Sequence, residues 1–204
     1  MLRGIDLTVE PGTSLVLTGA NGAGKTTLLR IIATLLKPSS GEGTVLGLSL
    51  ADDGERIRAT TGYVSARGFV YDDLTAAENL RFAARLVDRP VSDERIAELL
   101  VGVGLARAAD QTVRTFSTGM RRRLALASLR LRPLQLALLD EPYAGLDLDG
   151  VALVDRLVGE LVEAGTTVIL ASHQSGEATR RATRALRIED GRLVDAAGPD
   201  GRAG

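Results

Sequence analysis

The chain has no cysteine and no tryptophan, a single histidine, and only three tyrosines and three phenylalanines in 204 residues. Without cysteine there are no disulfides, zinc–thiolate sites or cysteine nucleophiles, and the lone His173 rules out a multi-histidine metal centre. No apolar run reaches the roughly 18 residues that a membrane-spanning helix needs, and the opening Met1–Asp6 lacks the apolar stretch of a secretory signal, so a cytoplasmic location is expected. Excess charge is missing too. The 25 basic residues face 26 acidic ones for a formal net charge of −1, which removes any bulk pull toward nucleic acid or an anionic membrane surface; no nucleic-acid partner is expected. Lysine is nearly absent: Lys25 and Lys37 are the only two, and the other 23 basic residues are arginine. What remains is an ordinary globular balance, 45% hydrophobic and 25% charged, which excludes disorder as a whole-chain reading and suits one large domain or two small ones.

The apolar run Leu15–Thr18 reads as a buried strand, followed by a glycine-rich loop and then by Leu28, Leu29, Ile31, Ile32, Leu35 and Leu36 at helical spacing, with Pro38 ending the element. Short strands are expected at 44–46 and 61–65. Between about 66 and 124 the pattern turns helical. Thr75 and Glu78 form a capping box, Ser92-Asp93-Glu94 opens a second helix with acidic residues in its first turn, and a third helix runs from about Ser117 through Leu129. Strand character returns at 136–140 and 167–171, with helices expected at 150–163 and around 177–183. Asp190-Gly191 marks the turn of a closing hairpin, and the small, polar tail 196–204 is expected to be mobile. The alternation predicts an α/β fold with a mixed-sheet core and an inserted helical subdomain.

Gly19-Ala20-Asn21-Gly22-Ala23-Gly24-Lys25-Thr26 is a complete GxxxxGKT phosphate loop, continued by Thr27. Glycines let backbone N–H groups converge on phosphate oxygens with no Cβ in the way, and the helix N-terminus behind them adds its positive end. Lys25 offers a compact charge to the outer phosphates, and Thr26 a hydroxyl to Mg²⁺. The apolar strand at 136–140 ends in Asp140-Glu141. In a phosphate-loop fold it is expected beside the loop's own strand. Asp140 then reaches the Mg²⁺ shell, and Glu141 is placed to take a proton from an attacking water. A nucleoside triphosphate and Mg²⁺ are the expected ligands of this loop.

Phe116-Ser117-Thr118-Gly119-Met120 lies just upstream, with Ser117 23 residues before Asp140. At that spacing it resembles the signature motif of ATP-binding-cassette (ABC) ATPases. Ser117 and Gly119 match that motif's phosphate-contacting positions, and Thr118 lies between them. Ala144-Gly145-Leu146-Asp147 resembles the family's D-loop, and Ser172-His173 its switch histidine. The resemblance covers Gly4 to Val194 and implies one ABC ATP-binding domain, with its core at about 1–65 and 125–195 and its helical subdomain at about 66–124. It also implies that two copies, or a paired cassette, face each other head to tail. Each ATP would then lie between one copy's phosphate loop and the other's Ser117–Gly119, with Glu141 and His173 catalytic. Integral membrane subunits would carry the cargo, so the chain is expected at the inner face of the cell membrane.

Within the family, the phrases Gly22–Arg30, Leu74-Thr75, Glu78–Phe82, Asp140–Tyr143, Gly150–Ala152 and Ser172–Gln174 resemble haem exporters of cytochrome c maturation. Another small exporter of drugs, lipids or ions, or a nucleotide-gated module outside transport, remain as alternatives. A phosphate-loop kinase accounts for Lys25 but leaves Ser117, Gly119 and Asp147 unexplained. Two departures stand out. The family carries an adenine-stacking aromatic ahead of the phosphate loop, whereas the first aromatic here is Tyr63; either the base is held weakly or the natural start lies upstream. Ala66 stands where the family has a metal-ligating glutamine.

Overall fold

The computed structural model describes residues 2–65, 69–172 and 182–195. The helix expected around 177–183 and the tail 196–204 lie essentially outside them. The chain divides into two compact units, one comprising Met1–Tyr63, Leu134–Pro142 and Leu157–Gly204, the other Val64–Pro133 and Tyr143–Arg156.

The first unit is built on a six-stranded sheet. Its strands are β1 (Ser14–Thr18), β4 (Thr61–Val64), β5 (Leu136–Asp140), β6 (Thr167–Ala171), β7 (Arg184–Glu189) and β8 (Arg192–Asp195), in the order β4-β5-β6-β1-β7-β8. β5, β6, β1 and β7 run parallel and β8 antiparallel, so the sheet is mixed, as the sequence pattern predicts. Every residue of β5 and β6 is buried, which is why both read as unbroken apolar runs instead of alternating ones. The order corrects one expectation: β5 does not lie beside β1, because β6 pairs with both. The closing hairpin forms as expected. Asp190 and Gly191 both take positive φ, +49° and +80°, the left-handed pair that a two-residue hairpin turn demands.

Helix α1 (Lys25–Ile32) is shorter than its apolar spacing suggests. Thr34 turns left-handed at φ +56°, and the N–H groups of Leu35 and Leu36 both fold back onto the Arg30 carbonyl. The two leucines are 51% and 46% exposed, so their spacing continues the helical pattern without any burial to enforce it. The small pair β2 (Thr44–Val45) and β3 (Leu48–Ser49) follows. Next comes α2 (Gly54–Thr60), which buries only Ile57 and leaves no periodic signature. The core gathers Leu15, Leu17, Leu29, Ile57, Leu138 and Ile169. Leu138→Ala, which empties a fully buried site, is expected to cost about 2–5 kcal/mol, whereas Leu36→Ala should stay within about 0.5 kcal/mol. Urea unfolding of both variants checks the placement of the helix end.

The second unit packs α3 (Ala76–Leu86), α4 (Asp93–Gly102) and α5 (Thr118–Ala127) around Leu80, Ile96, Leu99, Leu100, Val113 and Leu124. The capping box is present in both directions: Thr75 Oγ1 accepts from the Glu78 N–H, and the Glu78 carboxylate accepts from the Thr75 N–H. Ser92 caps α4 through the Arg95 N–H. Buried Asn79 staples the loop before α3, accepting from the Tyr71 N–H and donating to the carbonyls of Tyr71, Leu74 and Thr75. α6 (Leu148–Glu163) continues the chain from this unit into the first. No described helix is long and apolar enough to cross a membrane.

Candidate functional site

In the first unit the chain leaves β1 at Thr18, makes the loop Gly19–Gly24 and enters α1 at Lys25. Two of the glycines are dictated by geometry. Gly19 has φ +140°, and a Cβ there would stand 2.7 Å from the Ile188 carbonyl oxygen; Gly24 has φ +112°, and a Cβ there would meet Leu2 at 2.6 Å. Gly24 sits at the N-cap of α1 without any side-chain cap. The first-turn N–H groups therefore face the loop, the arrangement that draws anions to helix N-termini. Ala20, Asn21 and Gly22 form the exposed rim, and Ala23 closes the loop through an N–H bond to the Ala20 carbonyl.

Lys25 is only 6% exposed. Its Nζ donates to the carbonyls of Gly19 at 2.7 Å and Ala20 at 3.2 Å and lies 3.7 Å from a Glu141 carboxylate oxygen. An ammonium has three donors and no acceptor, and here they curl over the loop at the place where it could meet phosphate oxygens. Thr26 Oγ1 donates to Asp140 Oδ1 at 2.9 Å. The Tyr63 hydroxyl donates to Asp140 Oδ2 at 3.4 Å. Asp140 is 2% exposed. Burial raises its pKa from the ordinary carboxylate value, opposed by the Thr26 hydrogen bond and reinforced by the neighbouring Glu141 charge. Burial likewise raises the Tyr63 phenol, against a hydrogen bond from Arg30.

Glu141 holds its backbone at φ +53°, a left-handed conformation costing an L-residue of this kind roughly 1–2 kcal/mol. The turn is locked by the Glu141 N–H donating to the Ala171 carbonyl at 2.8 Å. Just past β6, the Ser172 N–H donates to the Leu17 carbonyl of the phosphate-loop strand. His173 itself and Ala66 lie outside the described residues. The ends of β1, β5 and β6 thus bring Lys25, Thr26, Asp140 and Glu141 to the carboxyl edge of a mainly parallel sheet, where such folds bind ligands.

The donor set also fits a hard divalent cation. Thr26 Oγ1 and Asp140 Oδ1, 2.9 Å apart, are oxygens spaced like neighbouring corners of an octahedron with bonds of about 2.0–2.1 Å. Among the described residues no cluster of three or more His, Asp or Glu side chains could hold a metal alone, so a cation here needs oxygens from a bound phosphate as well.

The second unit carries the other motif residues. Ser117 is the N-cap of α5, its Oγ accepting from the Met120 N–H at 3.2 Å. Thr118 and Gly119 form the helix's first turn, and the open side of Gly119 faces the Gly145 carbonyl oxygen 3.6 Å away from its Cβ position. Asp147 Oδ1 accepts from the Gly150 N–H at 2.9 Å and from Arg123 at 2.7 Å; both hold the Asp147 carboxyl below its usual pKa, the Gly150 bond more strongly. Ser117–Gly119 and Asp147 are therefore neighbours within one unit. Sequence reasoning missed the engagement of Tyr63 with Asp140 and of Arg123 with Asp147. Both are side-chain pairings between positions remote in sequence, and no spacing rule announces them.

Among curated relatives, the chain is 41% identical over 185 residues to the cytochrome c biogenesis ATP-binding export protein CcmA of Xanthomonas axonopodis pv. citri, covering 91% of this chain and 85% of that one. It is 38% identical over 193 residues to the daunorubicin/doxorubicin resistance ATP-binding protein DrrA of Streptomyces peucetius, covering 94% of this chain. The chain spans only 58% of the length of DrrA and of an uncharacterized ABC transporter ATP-binding protein of Nostoc. Among solved structures, the dimeric post-hydrolysis state of the ATP-binding cassette MJ0796, bound to ADP and Pi, superposes with a TM-score of 0.87 at 25% identity. That match covers all of this chain and 91% of the other. The model of the family described as ABC transporter matches residues 2–144, and on the strength of that match and of these relatives, the chain belongs to the ABC transporter family of ATP-binding proteins.

Proposed function

We propose that the chain is the ATP-binding and ATP-hydrolysing subunit of an ABC exporter, working at the inner face of the cell membrane through integral membrane subunits. The observation that carries this is the meeting of Lys25, Thr26, Asp140 and Glu141 at one sheet edge within the first unit. Lys25 and the first-turn N–H groups of α1 bind the triphosphate; Gly19 to Thr27 shape its cradle. Thr26 and Asp140 hold Mg²⁺, which supplies charge neutralisation on the phosphate oxygens. Glu141 accepts the proton of the attacking water, and its locked backbone presents the carboxylate without reorganisation.

Ser117, Thr118 and Gly119, at the exposed N-terminus of α5, serve the γ-phosphate of a second copy, and Asp147 lies beside them for the same interface. The dimeric, ADP- and Pi-bound relative supports this reading, as does the free helix end that Ser117 only partly caps. The switch role is assigned to His173.

The cargo we infer is haem for cytochrome c biogenesis, supported by the CcmA relatives that match most of their own length at about 40% identity. Drug export is the second reading, favoured by the 38% identity to DrrA. Deleting the gene in its own organism separates them. The first reading expects c-type cytochromes to lose covalent haem on a haem-stained gel. Normal cytochromes with new sensitivity to anthracyclines overturn it in favour of the second.

A further inference from the structure

Asp140 has two carboxylate oxygens, and only one has been given a task. Oδ1 meets Thr26, while Oδ2 accepts the Tyr63 hydroxyl. Tyr63 sits on β4, the strand next to β5 in the sheet, and its ring packs against the core of the first unit. A ring packed on one side against a core has its freedom reduced, which limits where its hydroxyl can go. Arg30, in the last turn of α1, acts electrostatically on both the Tyr63 hydroxyl and the Asp140 carboxylate. An aspartate's terminal torsion is otherwise soft, and nothing about Thr26 alone decides which way the carboxylate plane turns.

We infer that Tyr63, supported by Arg30, is a positioning residue for the cation site: it anchors Oδ2 of Asp140 so that Oδ1 stays turned toward Thr26. The contact of Tyr63 with the site runs through Asp140. The inference rests on the proposed roles of Thr26 and Asp140 in holding the cation. Residues that orient a metal's direct ligands change its affinity by about 10–100-fold. At 3.4 Å the Tyr63 bond is at the long end of hydrogen bonding, so the lower end of that range, about tenfold, is expected.

The test measures Mn²⁺ uptake by electron paramagnetic resonance in the presence of a non-hydrolysable ATP analogue, on the full chain, with no turnover involved. Tyr63→Phe keeps the ring and removes the hydroxyl; it should weaken Mn²⁺ about tenfold while leaving metal-free nucleotide affinity and the thermal midpoint unchanged. Arg30→Gln, at an exposed position, should weaken Mn²⁺ in the same direction by less, and carries the test alone if Tyr63→Phe does not fold. Unchanged Mn²⁺ affinity in a folded Tyr63→Phe chain, or in Arg30→Gln standing alone, overturns the inference and leaves the proposed function intact. A wild-type chain that binds the analogue yet takes up no Mn²⁺ overturns both.

Discussion

Glu141→Gln is expected to bind ATP as the unaltered chain does and to hydrolyse it at least roughly a hundredfold more slowly. The substitution keeps the shape and removes the proton acceptor. Little else should change. The backbone of residue 141 is held by its N–H bond to Ala171, which a glutamine makes equally well, and Lys25 keeps its two loop carbonyls when the 3.7 Å ion pair with Glu141 is lost. Binding is thus separated from chemistry, and an ATP-bound dimer should accumulate because the step that dissolves it is blocked. Single-turnover hydrolysis beside light scattering reads both effects. Turnover at the wild-type rate would remove Glu141 from the role of base, and slow turnover without a dimer would detach hydrolysis from dimer opening.

Lys25→Ala and Ser117→Arg should each abolish hydrolysis alone and restore part of it when mixed. Lys25→Ala removes the buried ammonium that lies over the phosphate loop. Ser117→Arg replaces the N-cap of α5, at a cost of about 1 kcal/mol to that helix, and puts a bulky cation where the γ-phosphate of the second copy is to dock. The two residues lie in different units of the chain. If each site takes Lys25 from one copy and Ser117 from the other, a mixed dimer holds one site with both defects and one with neither. For random pairing of equal amounts this restores roughly a quarter of the intact sites, by two-fold symmetry. Steady-state hydrolysis of the mixture reads the recovery. If mixed dimers demonstrably form and no activity returns, either the shared-site arrangement or the ability of one intact site to work alone is wrong.

Much of this protein was legible from residue order because its chemistry is local. The phosphate loop needs a few consecutive residues, and the glycines that permit φ +140° at Gly19 and φ +112° at Gly24 stand in the motif itself. Thr75 with Glu78, Ser92 and Ser117 signal helix starts because a cap bonds an N–H only three residues away. Asp190-Gly191 signals a hairpin because the left-handed pair belongs to the turn. The continuous apolar runs of β5 and β6 announce strands buried on both faces.

Tertiary structure decided what locality does not reach. The spacing of Leu35 and Leu36 matches a helix that ends at Ile32 instead, because periodicity records which residues are apolar and cannot record whether anything packs on them. The seven-residue α2 stayed hidden because one buried side chain, Ile57, makes no period. The interposition of β6 between β1 and β5 follows from how parallel strands pair after long crossovers, a choice made among non-adjacent segments. That same choice brings Thr26 to Asp140 across 114 positions and Tyr63 to Asp140 across 77. Short-range rules of dihedral angle and hydrogen bonding named the groups proposed to do the chemistry; only the packing of distant strands set which oxygen each of them faces.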